Sequence, residues 1–234
     1  MSTIENIESA TVGEIAASDI RKADVFRKMG IDFCCGGRKT LKEAAGQAGI
    51  TEAQLREALE KTPPVGASHP QHDFSSWDLA FLADYICNVH HRYIRENAAV
   101  LENLSLKVAN RHGAQHPELI HLATGIRGFL HHLLSHINKE ENILFPLIRQ
   151  LASKKYNGDE YMDISAPVRV MEQEHQEAGD ELKQFRQLTH DYVLPADACN
   201  SYTYLFGKMK EFEDDLFQHI HLENNILFPK ALQL

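Results

Sequence analysis

Residues 136–151 read HINKEENILFPLIRQL, and residues 219–234 read HIHLENNILFPKALQL. Ten of the sixteen positions are identical, and each copy contains a His-x-x-x-Glu motif followed by the apolar sequence ILFP. Residues four apart on an α-helix lie about one turn apart on the same side, so both side chains can reach one small volume. The repeat therefore predicts two equivalent helices that each present a His–Glu pair.

A lone histidine precedes each copy at nearly the same distance. His91 lies 45 residues before His136, and His175 lies 44 residues before His219. We infer that this part of the chain contains two copies of one helical hairpin. Each copy offers one histidine on its first helix and a His–Glu pair on its second.

Apolar residues recur every three or four positions over four long stretches, which is typical of helices with one buried face. The predicted helices span approximately 76–110, 117–153, 167–190 and 198–234. Strand patterns are almost absent, and the connections are short. The sequence therefore predicts an all-α fold, an up-down-up-down four-helix bundle.

The spacing of apolar residues also predicts which side of the first helix faces inward. Read outward from His91, that side includes Trp77, Phe81, Asp84 and Cys87. In the second helix, Pro146 is expected to kink or loosen the last turn, because proline lacks the N–H that a helix requires.

The inward histidines and glutamates suggest a metal centre. Imidazole and carboxylate without thiolate suit iron, and manganese or zinc less specifically. Each carboxylate has two oxygens, so the two glutamates are the expected bridges between two ions. Taken alone, a histidine on an apolar stripe is more often a core or boundary residue, and a single His-x-x-x-Glu is a common pair on a helix surface. The recurrence of both in duplicated register favours a metal site over this alternative. The expected metal ligands are His91, His136, Glu140, His175, His219 and Glu223.

Residues 1–61 predict a small helical domain that precedes the bundle at 76–234. The intervening segment, 62–75, contains three prolines and no periodic apolar pattern, and it is predicted to be a linker. Three motifs of the capping-box type predict helix starts in the small domain. They are Thr11-x-x-Glu14, Thr40-x-x-Glu43 and Thr51-x-x-Gln54.

Cys34 and Cys35 lie in a loop of this domain, before two glycines and the basic residues Arg38 and Lys39. Neighbouring positive charge lowers a thiol pKa and leaves the thiol reactive. The functional interpretation is redox exchange, iron transfer or transient metal binding. The alternative is a turn in which one cysteine packs inward and the other is incidental.

The duplicated His and Glu pattern, with both ILFP segments, resembles the haemerythrin-like domain of the iron–sulfur cluster repair di-iron proteins (the RIC family). The DFCCGG segment resembles the short cysteine-bearing domain of the same family, and the resemblance covers about residues 10–234. It implies a non-haem di-iron centre with carboxylate and oxo bridges, held by the six ligands named above. It also implies a bacterial cytoplasmic protein.

The family resemblance implies repair of iron–sulfur clusters that nitric oxide or peroxide has damaged. Iron–sulfur proteins would be the clients, and nitric oxide or oxygen species would be the small ligands. The oligomeric state stays open, with a homodimer as one alternative. One histidine ligand fewer than in oxygen-carrying haemerythrins favours small-molecule exchange or iron release. The alternatives are a di-iron nitric oxide or peroxide reductase, or a gas-binding sensor.

Several other histidines compete with or assist the expected ligands. His90 adjoins His91 but should point about 100° away on a regular helix, so only one of the two is expected to face the core. His132 and Asp215 each lie four residues before a ligand histidine, and each is either an orienting partner or a partly buried polar residue. Histidines expected on the surface include His112, His116, His131 and His221.

Composition and charge disfavour several classes of function. A formal net charge of −9 disfavours nucleic acid and anionic membrane surfaces, which require a basic face. No apolar run approaches the about 20 residues that span a bilayer. The N-terminus, MSTIENIESA, has acids where a secretory signal has basic residues, so a cytoplasmic location is expected.

Overall fold

The computed structural model describes residues 10–62, 72–153 and 163–234. Helices dominate these residues, and the only β-type pairing among them is an isolated bridge between Thr11 and Thr40. The predicted all-α fold is confirmed.

Short helices form the N-terminal region. Each predicted capping box is present. The threonine hydroxyl accepts a hydrogen bond from the backbone N–H of the Glu or Gln three residues later. The side chain of that Glu or Gln accepts one from the threonine backbone N–H. Gly30 adopts a φ of 70°, which suits the end of a helix. The helices are α1 (Val12–Ser18), α2 (Ile20–Lys28), α3 (Leu41–Gln47) and α4 (Glu52–Glu60).

Four long helical segments follow, and three of them contain a π-helical turn. The first comprises α5 (Leu79–Ile86), a π-turn (Cys87–His91) and α6 (Arg92–His112). The second comprises α7 (Glu118–Lys139), a π-turn (Glu140–Leu144) and α8 (Phe145–Ala152). The third is α9 (Ser165–Leu188), and the fourth comprises α10 (Asn200–Leu222), a π-turn (Glu223–Leu227) and α11 (Phe228–Ala231).

The described chain divides into two compact units. One contains the residues up to Leu82 together with Ile220–Leu234, and the other is Ala83–His219. In the second unit, α6 packs on α7 and α7 packs on α9. The predicted linker at 62–75 lies mostly outside the described residues, and the predicted domain boundaries stay a prediction.

The π-turn at Cys87–His91 corrects the predicted inward face of the first helix. Phe81 is 57% exposed, and the exposed Asp84 carboxylate accepts a hydrogen bond from Arg149 at 2.7 Å. A π-turn inserts one extra residue, so the helix before it is rotated by about 100° relative to the pattern read from His91. The residues buried before the turn are Leu79, Leu82, Ala83 and Ile86.

The other two π-turns lie at corresponding places in the repeat. Each begins at the glutamate of the His-x-x-x-Glu motif and ends two residues before a proline, Pro146 or Pro229. Proline cannot donate to the carbonyl four residues earlier, which disturbs the regular α-helical ladder at this point. The disturbance predicted near Pro146 is therefore a π-turn, and it occurs in both copies.

Candidate metal centre

Four histidines and one glutamate from the four long helices converge inside the Ala83–His219 unit. The first, second and third helices supply His91, His136 and His175, and the fourth supplies His219. Glu140 begins the π-turn of the second helix and is 0% exposed. All four imidazoles are buried as well.

The first histidine pair is His91 and His219. Their Nε2 atoms lie 3.1 Å apart. One carboxylate oxygen of Glu140, Oε2, lies 3.3 Å from His91 Nε2 and 3.9 Å from His219 Nε2. These three residues offer two imidazole nitrogens and one carboxylate oxygen to a single small volume.

The second pair is His136 and His175, whose Nε2 atoms lie 2.9 Å apart. The other oxygen of Glu140, Oε1, lies 3.3 Å from His136 Nε2 and 3.8 Å from His175 Nε2. The two oxygens of one carboxylate therefore each face a different histidine pair.

Glu223 begins the π-turn that follows α10, one turn after His219 on the same continuous helix. Its side chain is completely buried. Helix register keeps residues four apart on one side, so Glu223 follows His219 as Glu140 follows His136.

The geometry of each pair fits a first-row metal ion. Two nitrogens that bind one ion at about 2.1 Å and at a right angle lie about 3 Å apart, which matches both Nε2 separations. Two imidazoles with one carboxylate oxygen are the protein ligands of many non-haem iron sites, which keep open positions. Within each set, the ligand atoms all lie within 4.8 Å of one another, so each set could hold a metal ion.

An acidic residue fixes the far side of His91. Its Nδ1 lies 2.8 Å from Glu141 Oε1, and Glu141 also accepts hydrogen bonds from Arg95 at 2.7 and 2.9 Å. Burial raises the pKa of Glu141, but the hydrogen bonds from Arg95 and His91 outweigh burial and leave that pKa below its usual value. An ionised Glu141 keeps the proton of His91 on Nδ1 and leaves Nε2 as a lone-pair donor.

His136 has an equivalent partner. Its Nδ1 lies 2.7 Å from Glu174 Oε2, and Lys139 donates to the other oxygen of Glu174. The hydrogen bond from His136, with the help of Lys139, lowers the pKa of Glu174 to about 2. Sequence reasoning missed both acids, although each is adjacent in sequence to an expected ligand.

The structure corrects two expectations about neighbouring residues. His90 and His91 are both buried, because the π-turn changes their spacing around the helix. His90 Nδ1 lies 2.9 Å from Asp215 Oδ1, so Asp215 orients His90. His132 is exposed and therefore does not support His136.

His131 is exposed as predicted, but His221 is not. His221 is buried, and its ring meets Phe33 edge-on with centroids 5.6 Å apart. Burial lowers the pKa of His221 to about 4, so this imidazole is neutral at physiological pH.

Cys34 and Cys35 lie in a tight loop organised by Asp32. Both cysteine backbone N–H groups donate to Asp32 Oδ1, at 3.2 and 2.9 Å, and the two sulfur atoms lie 3.8 Å apart. The hydrogen bond with Cys35, burial and the Asp32 charge raise the pKa of Cys34. The expectation that basic neighbours activate this thiol is therefore wrong for Cys34, because a carboxylate and a second sulfur are its immediate neighbours.

The cysteine loop also contacts the C-terminal segment of its own unit. Asn225 Nδ2 donates to the carbonyl oxygens of Phe33 at 3.2 Å and of Cys34 at 3.4 Å. A Cβ atom added at Gly13 or Gly37 would come within 2.2 or 2.3 Å of Asn225 Oδ1, so Asn225 would have to shift if either position carried a side chain.

Comparison with protein families assigns both parts of the chain. Residues 83–231 match the Hemerythrin HHE cation binding domain. Residues 8–62 match ScdA_N, a domain of unknown function (DUF542). A buried histidine–carboxylate centre in a helical bundle thus defines this chain as a haemerythrin-type cation-binding protein.

Relatives extend the match over nearly the whole chain. A probable iron–sulfur cluster repair protein of Haemophilus influenzae is 37% identical over 221 residues, which cover 94% of this chain and 96% of the relative. The iron–sulfur cluster repair proteins YtfE of Pectobacterium carotovorum and Yersinia pestis are 37% and 36% identical over 227 residues, covering 95% of this chain and 96% of each relative. The chain belongs to the family of iron–sulfur cluster repair proteins.

Within the described residues, no helix combines the length and the apolar character that crossing a membrane requires.

Proposed function

We propose that this protein holds two iron ions in its bundle and uses them to restore damaged iron–sulfur clusters. One observation carries the proposal: Glu140 is completely buried, and its two oxygens face two separate histidine pairs at 3.3 Å each. A buried carboxylate normally has a charged partner or a metal, and a carboxylate between two ligand pairs suits a bridge between two ions.

Each iron would take one histidine pair and one oxygen of Glu140. Glu223 would supply the second bridging carboxylate, since it repeats the position of Glu140 one turn after His219. When bound, the irons supply redox chemistry and open positions for small molecules. Glu141 and Glu174 hold the ligand imidazoles in the tautomer that binds metal.

The relatives are named for iron–sulfur cluster repair, and this supports the same role for this chain. In the proposed role the protein supplies iron to damaged clusters or handles nitric oxide at the di-iron centre. Its clients are iron–sulfur proteins of the bacterial cytoplasm under nitrosative or oxidative stress. Cys34 and Cys35 act in redox exchange or iron transfer, a role that their pairing with Asp32 in a possible metal-holding group supports.

Metal analysis with Mössbauer spectroscopy on protein purified without oxygen tests the centre. We expect about two irons per chain and coupled di-iron signals that change when nitric oxide is added. Glu140→Ala should reduce bound iron to below one per chain, because one substitution removes a ligand from both sites. The matched control is His131→Asn, an exposed histidine on the same helix, which should keep both irons.

A repair assay tests the role. The iron-loaded protein is mixed with a client whose cluster nitric oxide has destroyed, and recovery of the client is measured. We expect recovery to require the loaded centre and to fall when Cys34 and Cys35 are replaced, while the di-iron spectrum is unchanged. Sustained reduction of nitric oxide with an added reductant, without client recovery, would replace this proposal with a reductase.

A further inference from the structure

A second group of reactive side chains lies away from the metal centre, where α6 ends and α10 begins. Cys199 directly precedes α10, and its carbonyl accepts from the backbone N–H of Thr203 at 3.0 Å. The thiol is therefore at the N-terminus of a 23-residue helix, and Cys199 is exposed.

An imidazole is in direct contact with this thiol. Cys199 Sγ lies 3.1 Å from Nε2 of His112, the last residue of α6. His112 was expected to be a solvated loop histidine, but it is buried. Its ring packs against Tyr202, with centroids 5.4 Å apart, so the ring is held in place beside the sulfur.

Other titratable groups surround the pair. His116 lies 3.0 Å from an oxygen of Asp197 and 3.1 Å from Glu118. These hydrogen bonds, with Asp197 contributing most, raise the pKa of His116. His116 is thus paired with the carboxylates of Asp197 and Glu118, and His112 is the imidazole that contacts Cys199 Sγ.

We propose that Cys199 and His112 form a nucleophilic thiol–imidazole pair that makes mixed disulfides with small-molecule disulfides. The proposal is independent of the metal centre and of the repair function. A thiol beside a positioned base at a helix N-terminus is the arrangement that activates cysteine nucleophiles.

The proposed step is thiol–disulfide exchange. His112 takes the proton of the Cys199 thiol, and the thiolate attacks one sulfur of the small disulfide. A new S–S bond forms to Cys199 while the original S–S bond breaks, and the departing thiolate takes the electron pair and then a proton. One disulfide is consumed and one is made, so no further oxidant is needed.

The electrostatics of the site support this reactivity. The hydrogen bond between His112 and Cys199, together with backbone N–H groups of Tyr202 and Ser201, lowers the pKa of Cys199 to about 7. An attacking thiol is fastest when its pKa is near the ambient pH. Cys34 differs from Cys199 in exposure and in pKa, because Cys34 is buried and its pKa is raised.

Glutathione disulfide is the probe for the test. Full-length protein is incubated with it over a range of pH, and modification of each cysteine is followed by peptide mass spectrometry. We expect Cys199 to react with a pH midpoint of about 7 and His112→Asn to move the midpoint towards about 8.5. At pH 6 the variant should react at least about three-fold more slowly, since the smaller thiolate fraction outweighs the higher nucleophilicity.

His116→Asn is the matched control, since it removes an imidazole four residues away that does not touch the sulfur. Its rate should stay within about two-fold of the unmodified protein. A wild-type midpoint near 8.5, or equal rates for the wild type and His112→Asn, would overturn the proposal. The pH dependence of the wild-type reaction tests the proposal even if His112→Asn fails to fold.

Discussion

The two copies of the repeated helix share ten of sixteen residues and the same π-turn, yet they differ in what their outer sides contact. Ile143 in the first copy is 55% exposed, whereas Ile226 at the same position of the second copy is 3% exposed. In its own unit, the π-turn of the second copy packs against α1.

A shared asparagine shows the same difference. In the first copy, Asn142 donates to the carbonyl of Asn138 in its own helix at 2.7 Å. In the second copy, the equivalent Asn225 reaches the carbonyls of Phe33 and Cys34 in the cysteine loop. One side chain therefore serves a local contact in one copy and a tertiary contact in the other.

The residues around this asparagine differ between the two copies. Asn138 and Lys139 become His221 and Leu222, which are buried, and Glu141 becomes Asn224, which donates to the Cys34 carbonyl at 3.4 Å. The histidine and the glutamate that both copies share are the expected metal ligands. Among the residues that differ, Glu141 contacts His91, whereas Asn224 contacts the cysteine loop.

The largest expected effect is on stability, and it comes from truncating the isoleucine of the second copy but not that of the first. Ile226→Ala should lower the free energy of unfolding by about 2–4 kcal/mol, because it deletes a buried aliphatic side chain and leaves a cavity. Ile143→Ala should change the free energy of unfolding by less than about 0.5 kcal/mol. Urea unfolding of metal-free protein measures both variants, and equal losses would contradict the assigned difference in burial.

Much of the candidate centre follows from periodicity, as the lone histidines and the two His-x-x-x-Glu motifs show. Spacing along one helix specifies which residues share a side, and duplication identifies which of those sides matter. Pairing across the bundle was not predictable. His91 pairs with His219 and His136 with His175, and this depends on which helices are neighbours rather than on any local pattern.

The sequence-based errors have two physical origins. A regular 3.6-residue period cannot anticipate the extra residue of a π-turn, so Phe81 and Asp84 were placed inward and only one of His90 and His91 was expected to be buried. His221 was placed on the surface because the pattern of one helix does not show that a second side is covered. A sequence pattern does not distinguish a polar side of a helix that is covered by another segment from one that is exposed to solvent.

The next prediction concerns the outer hydrogen bond of the first copy. Glu141→Asn gives the first copy the residue of the second and removes the carboxylate that orients His91. Iron affinity should fall about 10–100-fold, the usual effect of losing such a partner. Competition with a metal chelator measures the affinity. Asn224→Ala is the matched change in the second copy, and an affinity loss as large as that of Glu141→Asn would show that the copies do not differ in this way.

The smallest expected effect tests the shared asparagine. Asn225→Ala removes weak hydrogen bonds to the cysteine loop and should lower the free energy of unfolding by about 1 kcal/mol. Asn142→Ala should have almost no effect, because the lost bond is exposed and alanine favours a helix. Stability is compared in metal-free protein, so that metal binding does not add to the difference. The alkylation rate of the half-buried Cys35 provides a local measurement: it should rise in Asn225→Ala and stay constant in Asn142→Ala, since only the first of these asparagines holds the loop that carries this thiol.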